Sequence, residues 1–428
     1  MKQMARKIVV WILTREAQLV LKKYRPQIIA VTGSVGKTST KDAIYTALAS
    51  SVFVRKNTKS FNSELGVPLT ILGLDTGWGS PWKWLHNVGR GLALVLFPTH
   101  YPKWLVLEVG LDRPGDIENI ARWLRPNIAV FTRLPDTPVH VEFFPDVKSL
   151  HKEKKSLAKY VEKGGTLVIN ADDPNLSGLT STPGVHAITY GFSEDAHVRG
   201  TNEGILDTNG IEGVHMKVET GGSSVPVMLR GVLGRQHLYP VLAAFAVGVG
   251  VDLNTVTLAN GFREHEHAPG RMRIIDGVRG SVIIDDSYNA SPVAVEAALE
   301  TLEKLTVPGR RIAILGDMAE LGSLSSEAHT QIGTRAAAVL DVFIGVGKEM
   351  HTAVRAARKA GMSDERALHM EYARNAAEHV ANDIGSGDVV LVKGSQSMRT
   401  ERAVELLMAR PEQKAKLLVR QERAWKER

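Results

Sequence analysis

Apolar positions in this chain come in short blocks separated by helical patterns. The first block is Ile28-Ile29-Ala30-Val31, preceded over residues 1–26 by a basic helical pattern. Gly33-Ser34-Val35-Gly36-Lys37-Thr38 follows it, and a helical pattern then runs over 39–48. A strand, a glycine turn and a helix open a βαβ unit. Further apolar blocks at 104–109, 128–131 and 167–169, with helical segments between them, predict a mostly parallel sheet covered by helices. Residues 187–233 are richer in Gly, Thr and Val and predict a small β-rich appendage. A second α/β unit is expected from Ala268-Pro269-Gly270-Arg271, where Pro-Gly marks a turn and a linker. Its strands are expected at 272–275, 281–284, 312–315, 342–346 and 389–392.

The predicted fold class is therefore α/β: a phosphate-loop central domain with a mostly parallel sheet, then a C-terminal Rossmann-like α/β domain. The expected division is a basic helix over 1–26, a central domain over 27–268, a C-terminal domain over 269–410, and a charged helical tail over 411–428. Residues 73–103 read as an insertion in the central domain. They carry Trp78, Trp82 and Trp84 with Lys83 and Arg90, and are either an interfacial segment or partner surface, or a helix packed on its own domain.

Composition narrows the partners. At 428 residues the chain suits two or three domains. With no cysteine it has neither disulfides nor cysteine-ligated metals. A net charge of +7 favours anionic partners, but no aromatic-plus-basic pattern of an RNA module stands out, so nucleic acid is not expected. The apolar runs 8–13 and 92–97 are too short to span a bilayer, and a cytoplasmic address follows by elimination.

Three features carry candidate chemistry. The run from Gly33 to Thr38 places backbone N–H donors, a lysine and a helix start together, as a phosphate requires. Lys37 would reach the terminal phosphates and Thr38 would ligate Mg²⁺. Val31 stands where the longer phosphate-loop pattern has a glycine, so the match is to a shortened variant; a plain glycine turn is the alternative. Next, residues 146–164 read as one helix capped by Asp146, with Lys154 inside the apolar stripe of Val147, Leu150, Leu157 and Val161. There Lys154 is either a snorkelling side chain or a desolvated amine able to take up CO₂ as a metal-binding carbamate. Finally, Glu108 closes one strand and His140 follows another, both at carboxyl ends where open sheets bind ligands. Each is either a metal ligand or, respectively, a helix-capping carboxylate and a surface loop residue.

Together these residues resemble the Mur ligase family over about residues 27–408. The likeness rests on Thr32-Gly33-Ser34-Val35-Gly36-Lys37-Thr38, on Asn62-Ser63-Glu64-Leu65-Gly66-Val67-Pro68, on Glu108-Val109-Gly110 with Pro114-Gly115-Asp116-Ile117, and on Asn170-Ala171-Asp172-Asp173-Pro174. Later stretches are Asp285-Asp286-Ser287-Tyr288-Asn289-Ala290-Ser291-Pro292, Leu315-Gly316-Asp317-Met318-Ala319-Glu320-Leu321-Gly322 and Val392-Lys393-Gly394-Ser395. The resemblance implies an ATP-dependent carboxylate–amine ligase of peptidoglycan precursor synthesis, acting through an acyl phosphate. Its substrates would be ATP, a UDP-MurNAc-peptide and D-Ala-D-Ala, with Mg²⁺ as cofactor. ATP would contact Thr32, Gly33, Ser34, Val35, Gly36, Lys37, Thr38 and Ser39, and Arg271, Asp286 and Asn289 from the second unit. Thr38, Glu108, His140 and carbamylated Lys154 would hold metal. Asn62, Asp317, Lys393 and Ser395 would serve the peptide substrates.

The chain departs from the family in places. The family carries a UDP-sugar domain before the phosphate loop, where only about 26 residues stand here, so a helper protein for the UDP end is one expectation. Arg113 stands where a histidine is usual, the loop 132–140 is longer, and His237 and Pro240 occupy asparagine positions. Another Mur-type or folylpolyglutamate synthase-like amino-acid ligase, or a non-catalytic nucleotide-binding scaffold, are the alternatives.

Overall fold

The computed structural model describes residues 3–57, 61–77, 80–111, 113–136, 143–207, 210–422 and 425. Helix α1 (Gln3–Tyr24) leads into a sheet of β1 (Gln27–Thr32), β2 (Val54–Lys56), β3 (Trp104–Glu108), β4 (Ile128–Phe131), β5 (Thr166–Asn170), β6 (His186–Gly191), β7 (Val198–Leu206), β8 (Gly213–Thr220) and β9 (Ser223–Arg230). Among the described residues the spatial order is β2-β3-β1-β4-β5-β6-β7-β8-β9. Neighbours are parallel as far as β7, and β7-β8-β9 are antiparallel.

Alternation along each central strand builds two cores, because successive side chains point to opposite faces. Ile28 and Ala30 of β1, with Leu105 and Leu107 of β3, enter one core; Ile29, Val31 and Val106 enter the other. The first core is covered by α1, α3 (Gly66–Leu72), α4 (Pro81–Leu96), α5 (Asp116–Leu124) and α6 (Val147–Lys155). On the other face α2 (Lys37–Ala49) lies beside α7 (Leu238–Gly250), with α8 (Thr255–Gly261) next to both. Helix α7 is apolar nearly all round and buried from Leu238 through Gly248, apart from the partly exposed Tyr239.

A second sheet, β10-β11-β15-β12-β13-β14, is formed by β10 (Arg273–Asp276), β11 (Val282–Asp286), β12 (Arg311–Gly316), β13 (Val342–Val346), β14 (Ala367–Met370) and β15 (Val389–Lys393). Only the β10–β11 pair is antiparallel. Helices α9 (Pro292–Lys304), α10 (Ser325–Val339), α11 (Met350–Lys359), α12 (Ala373–Asp383) and α13 (Glu401–Leu407) complete this unit. The two sheets meet through backbone bonds: Leu233 N–H donates to the Met272 carbonyl (3.0 Å) and Ile274 N–H to the Gly231 carbonyl (2.9 Å).

Three expectations need correction. Residues 187–233 are β-rich but are no appendage: β6 pairs with the whole of β5, so β6–β9 extend the main sheet. The segment from Asp146 is not one α-helix to residue 164, since α6 ends at Lys155 and a 3₁₀ turn spans Ser156–Tyr160. The described residues from 412 to 422 are not a solvated helical face. Among the described residues from 412 to 422 the one α-helix is Lys414–Leu417, Leu418 and Arg420 are buried, and Arg420 donates to Glu401 Oε2 (2.8 Å) and to the Ser287 carbonyl (3.1 Å). A buried guanidinium needs such partners, and they draw the tail onto the second unit.

The covering layer contains one costly contact. Glu16 of α1 is packed against Gly91 of α4, where an added Cβ would lie 2.0 Å from Glu16 Oε2. Among the described residues that oxygen has no hydrogen-bond partner, and burial pushes the carboxyl up to about 7. A folded-state pKa above the unfolded value means that stability is lost as pH rises from about 4.5 through about 7. Glu16→Gln is therefore expected to raise the thermal midpoint at pH 8 by ~2 °C or more, with a smaller gain at pH 5. Unfolding monitored by circular dichroism at the two pH values measures both.

Candidate active site

The site begins where β1 leaves the sheet. Gly33 has φ +143°, and a Cβ there would fall 1.9 Å from Thr132 Oγ1. Gly36, at φ +84°, is left-handed and caps α2, a conformation that a side chain disfavours. Thr132, just past the end of β4, donates its hydroxyl to the Val35 carbonyl (2.7 Å), and Ser34 N–H donates to the Arg133 carbonyl (2.7 Å). The loop is thus fixed to the neighbouring strand end, and the first turn of α2 offers its amides to an anion.

Strand β3, on the other side of β1, brings Glu108 level with Val31. Glu108 is buried; its Oε2 accepts from the Thr38 hydroxyl (2.8 Å) and its Oε1 from the Asn62 amide (3.0 Å). Lys154 approaches the loop from α6. It is 3 % exposed, whereas Lys148 and Lys152 of the same helix are exposed. Its Nζ donates to the Gly33 carbonyl (3.1 Å), and among the described residues no carboxylate forms an ion pair with it. Burial holds its pKa well below the ordinary lysine range, and the positive charge of Lys37 lowers it further. His140 lies outside the described residues.

A cleft of ≈ 780 Å³ runs from this loop to the second unit. One wall carries Lys37, Thr38, Asn62 and Glu108; the other carries Arg271, Asp286, Tyr288, Asn289 and Lys393. The Arg271 guanidinium stacks 4.3 Å from the Tyr288 ring centroid. Lys393 Nζ bridges Asp286 Oδ2 (2.7 Å) and the Asn289 carbonyl (2.9 Å). Burial pushes the Asp286 carboxyl up, against the pull of that ammonium. Its Oδ1 accepts from the N–H of Met272, a buried residue at φ +50°.

The remaining residues expected at the site lie apart from it. Asp317 and Ser395 are absent from the cleft walls. Asp317 Oδ1 accepts from Met350 N–H (2.8 Å) at the start of α11, and Ser395 Oγ accepts from Ala319 N–H (2.8 Å). Lys393 stands with Asp286 rather than with this pair. Sequence reasoning passed over Thr132 and Tyr288 as site residues, and with them the Asp172–Tyr239 contact (2.8 Å), whose two residues also line the cleft. Tyr288 lay within a motif already singled out. Thr132 gave no signal, because its role depends on β4 being the neighbour of β1.

Strand, glycine loop, helix and an acid at the adjacent strand end define a phosphate-loop nucleotide-binding protein. The Mur ligase middle domain matches residues 85–248, and the Mur ligase, glutamate ligase domain matches residues 270–396. The chain belongs to the Mur ligase family. It is 29% identical over 390 residues to the UDP-N-acetylmuramoyl-tripeptide–D-alanyl-D-alanine ligase of Escherichia coli, covering 89% of this chain and 76% of that one. The Bacillus subtilis ligase of the same name is 26% identical over 92% of this chain and 79% of its own length. The crystal structure of the Thermotoga maritima MurF ligase in complex with ADP superposes with a TM-score of 0.74 at 26% identity, covering 93% of this chain and 83% of that one.

Lys37 lies at the start of α2 and lines the cleft, so its removal takes charge from the site without opening a core. Lys37→Ala is expected to lower ATP turnover by ~10² or more while the fold persists. Phosphate release and far-UV circular dichroism on the same sample test the two halves of that statement.

Proposed function

We propose that the chain is an ATP-dependent ligase that joins D-alanyl-D-alanine to the terminal carboxylate of a UDP-MurNAc-tripeptide. The observation that carries this reading is the pairing of a phosphate loop with Arg271, Asp286 and Asn289 across one cleft, in a chain aligned over about nine-tenths of its length with ligases of that name. In this reaction a carboxylate oxygen attacks the γ-phosphorus of ATP and ADP leaves, giving an acyl phosphate. The amine of the dipeptide then attacks the acyl carbon, inorganic phosphate leaves, and the amide forms.

The residues in place suit those steps. The Lys37 ammonium and the amides at the start of α2 oppose the charge on the transferring phosphoryl group. Arg271 and Tyr288, stacked on the far wall, offer a cationic and aromatic surface to the nucleotide, and Lys393 holds the Asp286–Asn289 turn in position. A cleft shared by two units lets their approach exclude water, to which an acyl phosphate would otherwise be lost.

Magnesium fits the donors present. The Thr38 hydroxyl and the Glu108 carboxylate already lie within hydrogen-bond distance at the cleft, and such hard oxygen ligands suit that ion. Thr38 and Glu108 would hold it, with His140 and a carbamate on Lys154 as further ligands, and bound there it would act as a Lewis acid on the phosphate oxygens. Lys154 favours the carbamate because a desolvated amine is largely neutral and nucleophilic; its nitrogen adds to CO₂ with loss of one proton.

Lys154→Ala is expected to be nearly inactive and to recover in part with added short-chain carboxylates. Lys154→Arg is expected to stay inactive under the same addition, since guanidinium forms no carbamate and fills the space. A ¹³C-carbamate resonance from ¹³CO₂, present in the parent chain and absent from both variants, is the readout independent of turnover. The reaction itself is tested by ATP-dependent phosphate release with UDP-MurNAc-tripeptide and D-alanyl-D-alanine, each alone and both together. Release only with both is expected. Release with glutamate and a different acid acceptor would instead mark another amino-acid ligase, and no release with any pair would mark a scaffold.

A further inference from the structure

The layer formed by α1 and α4 has two apolar sides. Inwardly, Leu13, Ala17 and Val20 of α1 and Trp84 of α4 enter the core. Outwardly, α4 and the residue after it expose Trp82, Leu85, Leu92, Leu96 and Phe97, with Trp82 at 79%. Positions 82, 85, 89, 92 and 96 recur at helical spacing, so this is a continuous stripe and not scattered exposure. Helix α1 adds Ile8, Trp11 and Leu19. Of fourteen large apolar side chains exposed among the described residues, eight lie on this pair, so the patch is localised.

The two helices are fixed side by side and run the same way. Glu16 lies against Gly91, and about two turns further along Lys23 Nζ caps α4 by donating to the carbonyls of Val95 (2.9 Å) and Phe97 (2.7 Å). Tyr24 adds a hydroxyl bond to the Phe97 carbonyl (3.1 Å). The stripe is therefore a preformed surface, not a loose segment.

Its charge identifies what covers it. Helix α1 carries exposed Arg6, Lys7, Arg15 and Lys22, and α4 carries exposed Lys83 and Arg90. The single carboxylate on the two helices, Glu16, is buried between them. Glu64 from a neighbouring segment lies beside Arg6, Lys7 and Arg15, but every exposed charge on the two helices themselves is basic, and an apolar stripe bearing tryptophans in that setting is complementary to the interfacial zone of an anionic bilayer. No helix among the described residues is long and apolar enough to cross a membrane, so the contact is one of lying on the surface. We propose that α1 and α4 dock this protein on anionic lipid, with the Trp82–Leu85–Leu92–Leu96 stripe inserted at the level of the headgroups.

The test is flotation of the full chain with vesicles of phosphatidylcholine and phosphatidylglycerol (7:3), against vesicles of phosphatidylcholine alone, at low and high salt. Binding to the anionic vesicles at low salt is expected, weakening with salt. Leu85→Glu with Leu92→Glu is expected to abolish it. Lys83→Glu with Arg90→Glu is expected to weaken partition by about tenfold or more, at roughly fivefold per basic residue lost. Neither pair touches the cleft, so phosphate release and circular dichroism unchanged from the parent chain certify the fold. Absence of flotation with anionic vesicles, or flotation that survives Leu85→Glu with Leu92→Glu, overturns the proposal. Sedimentation revealing a dimer that the same pair dissociates, without flotation, assigns the stripe to a second copy of this chain and overturns it equally.

Discussion

A lysine amine sealed beneath the phosphate loop, with a backbone carbonyl as its hydrogen-bond partner, is the constraint around which the site is arranged. An ammonium so placed is costly, and desolvation together with the nearby Lys37 charge shifts it toward the neutral form. The loop above it has little freedom, since Gly33 is closed against Thr132 and Lys154 holds the Gly33 carbonyl from below. Two lysines therefore flank one loop at different depths, with Lys37 at the cleft and Lys154 in the interior. Burial first, and the neighbouring charge second, set Lys154 apart.

Much of this is legible in the sequence. Blocks of three to six apolar residues marked the central strands because both faces of the sheet are buried, and helical spacing alone placed Lys154 on the inner side of α6. Strand order was not legible. Nothing in the local sequence says that β4 and β3 flank β1, and Thr132 and Asn62 acquire their roles from that adjacency. Extension of the sheet through β6–β9 was hidden because β9 alternates buried and exposed residues, the pattern of a strand with one wet face, which reads equally well as a separate small sheet. Strand β14 escaped notice as a four-residue edge strand with a single fully buried position, Ala367.

The tail shows a related limit. Its density of charge suggested a solvated face, yet Arg420 is drawn inward because Glu401 and the Ser287 carbonyl lie within its reach. The segment it anchors, Ser287 with Tyr288, borders the cleft, so residues remote in sequence steady the wall opposite the phosphate loop. Charge content predicts exposure only where no buried partner waits.

Asp286 also bears on the joint between the two sheets. One of its oxygens restrains the amide of Met272, at the place where the backbone ladder joins the sheets, and the other is taken by Lys393. The carboxylate cannot swing toward a ligand without releasing one of these groups. Met272 sits in a left-handed conformation that its side chain disfavours, and the bond to Asp286 helps to hold it there. One side chain thus ties the cleft wall to the joint between the sheets, so Asp286 is a tether as well as a wall.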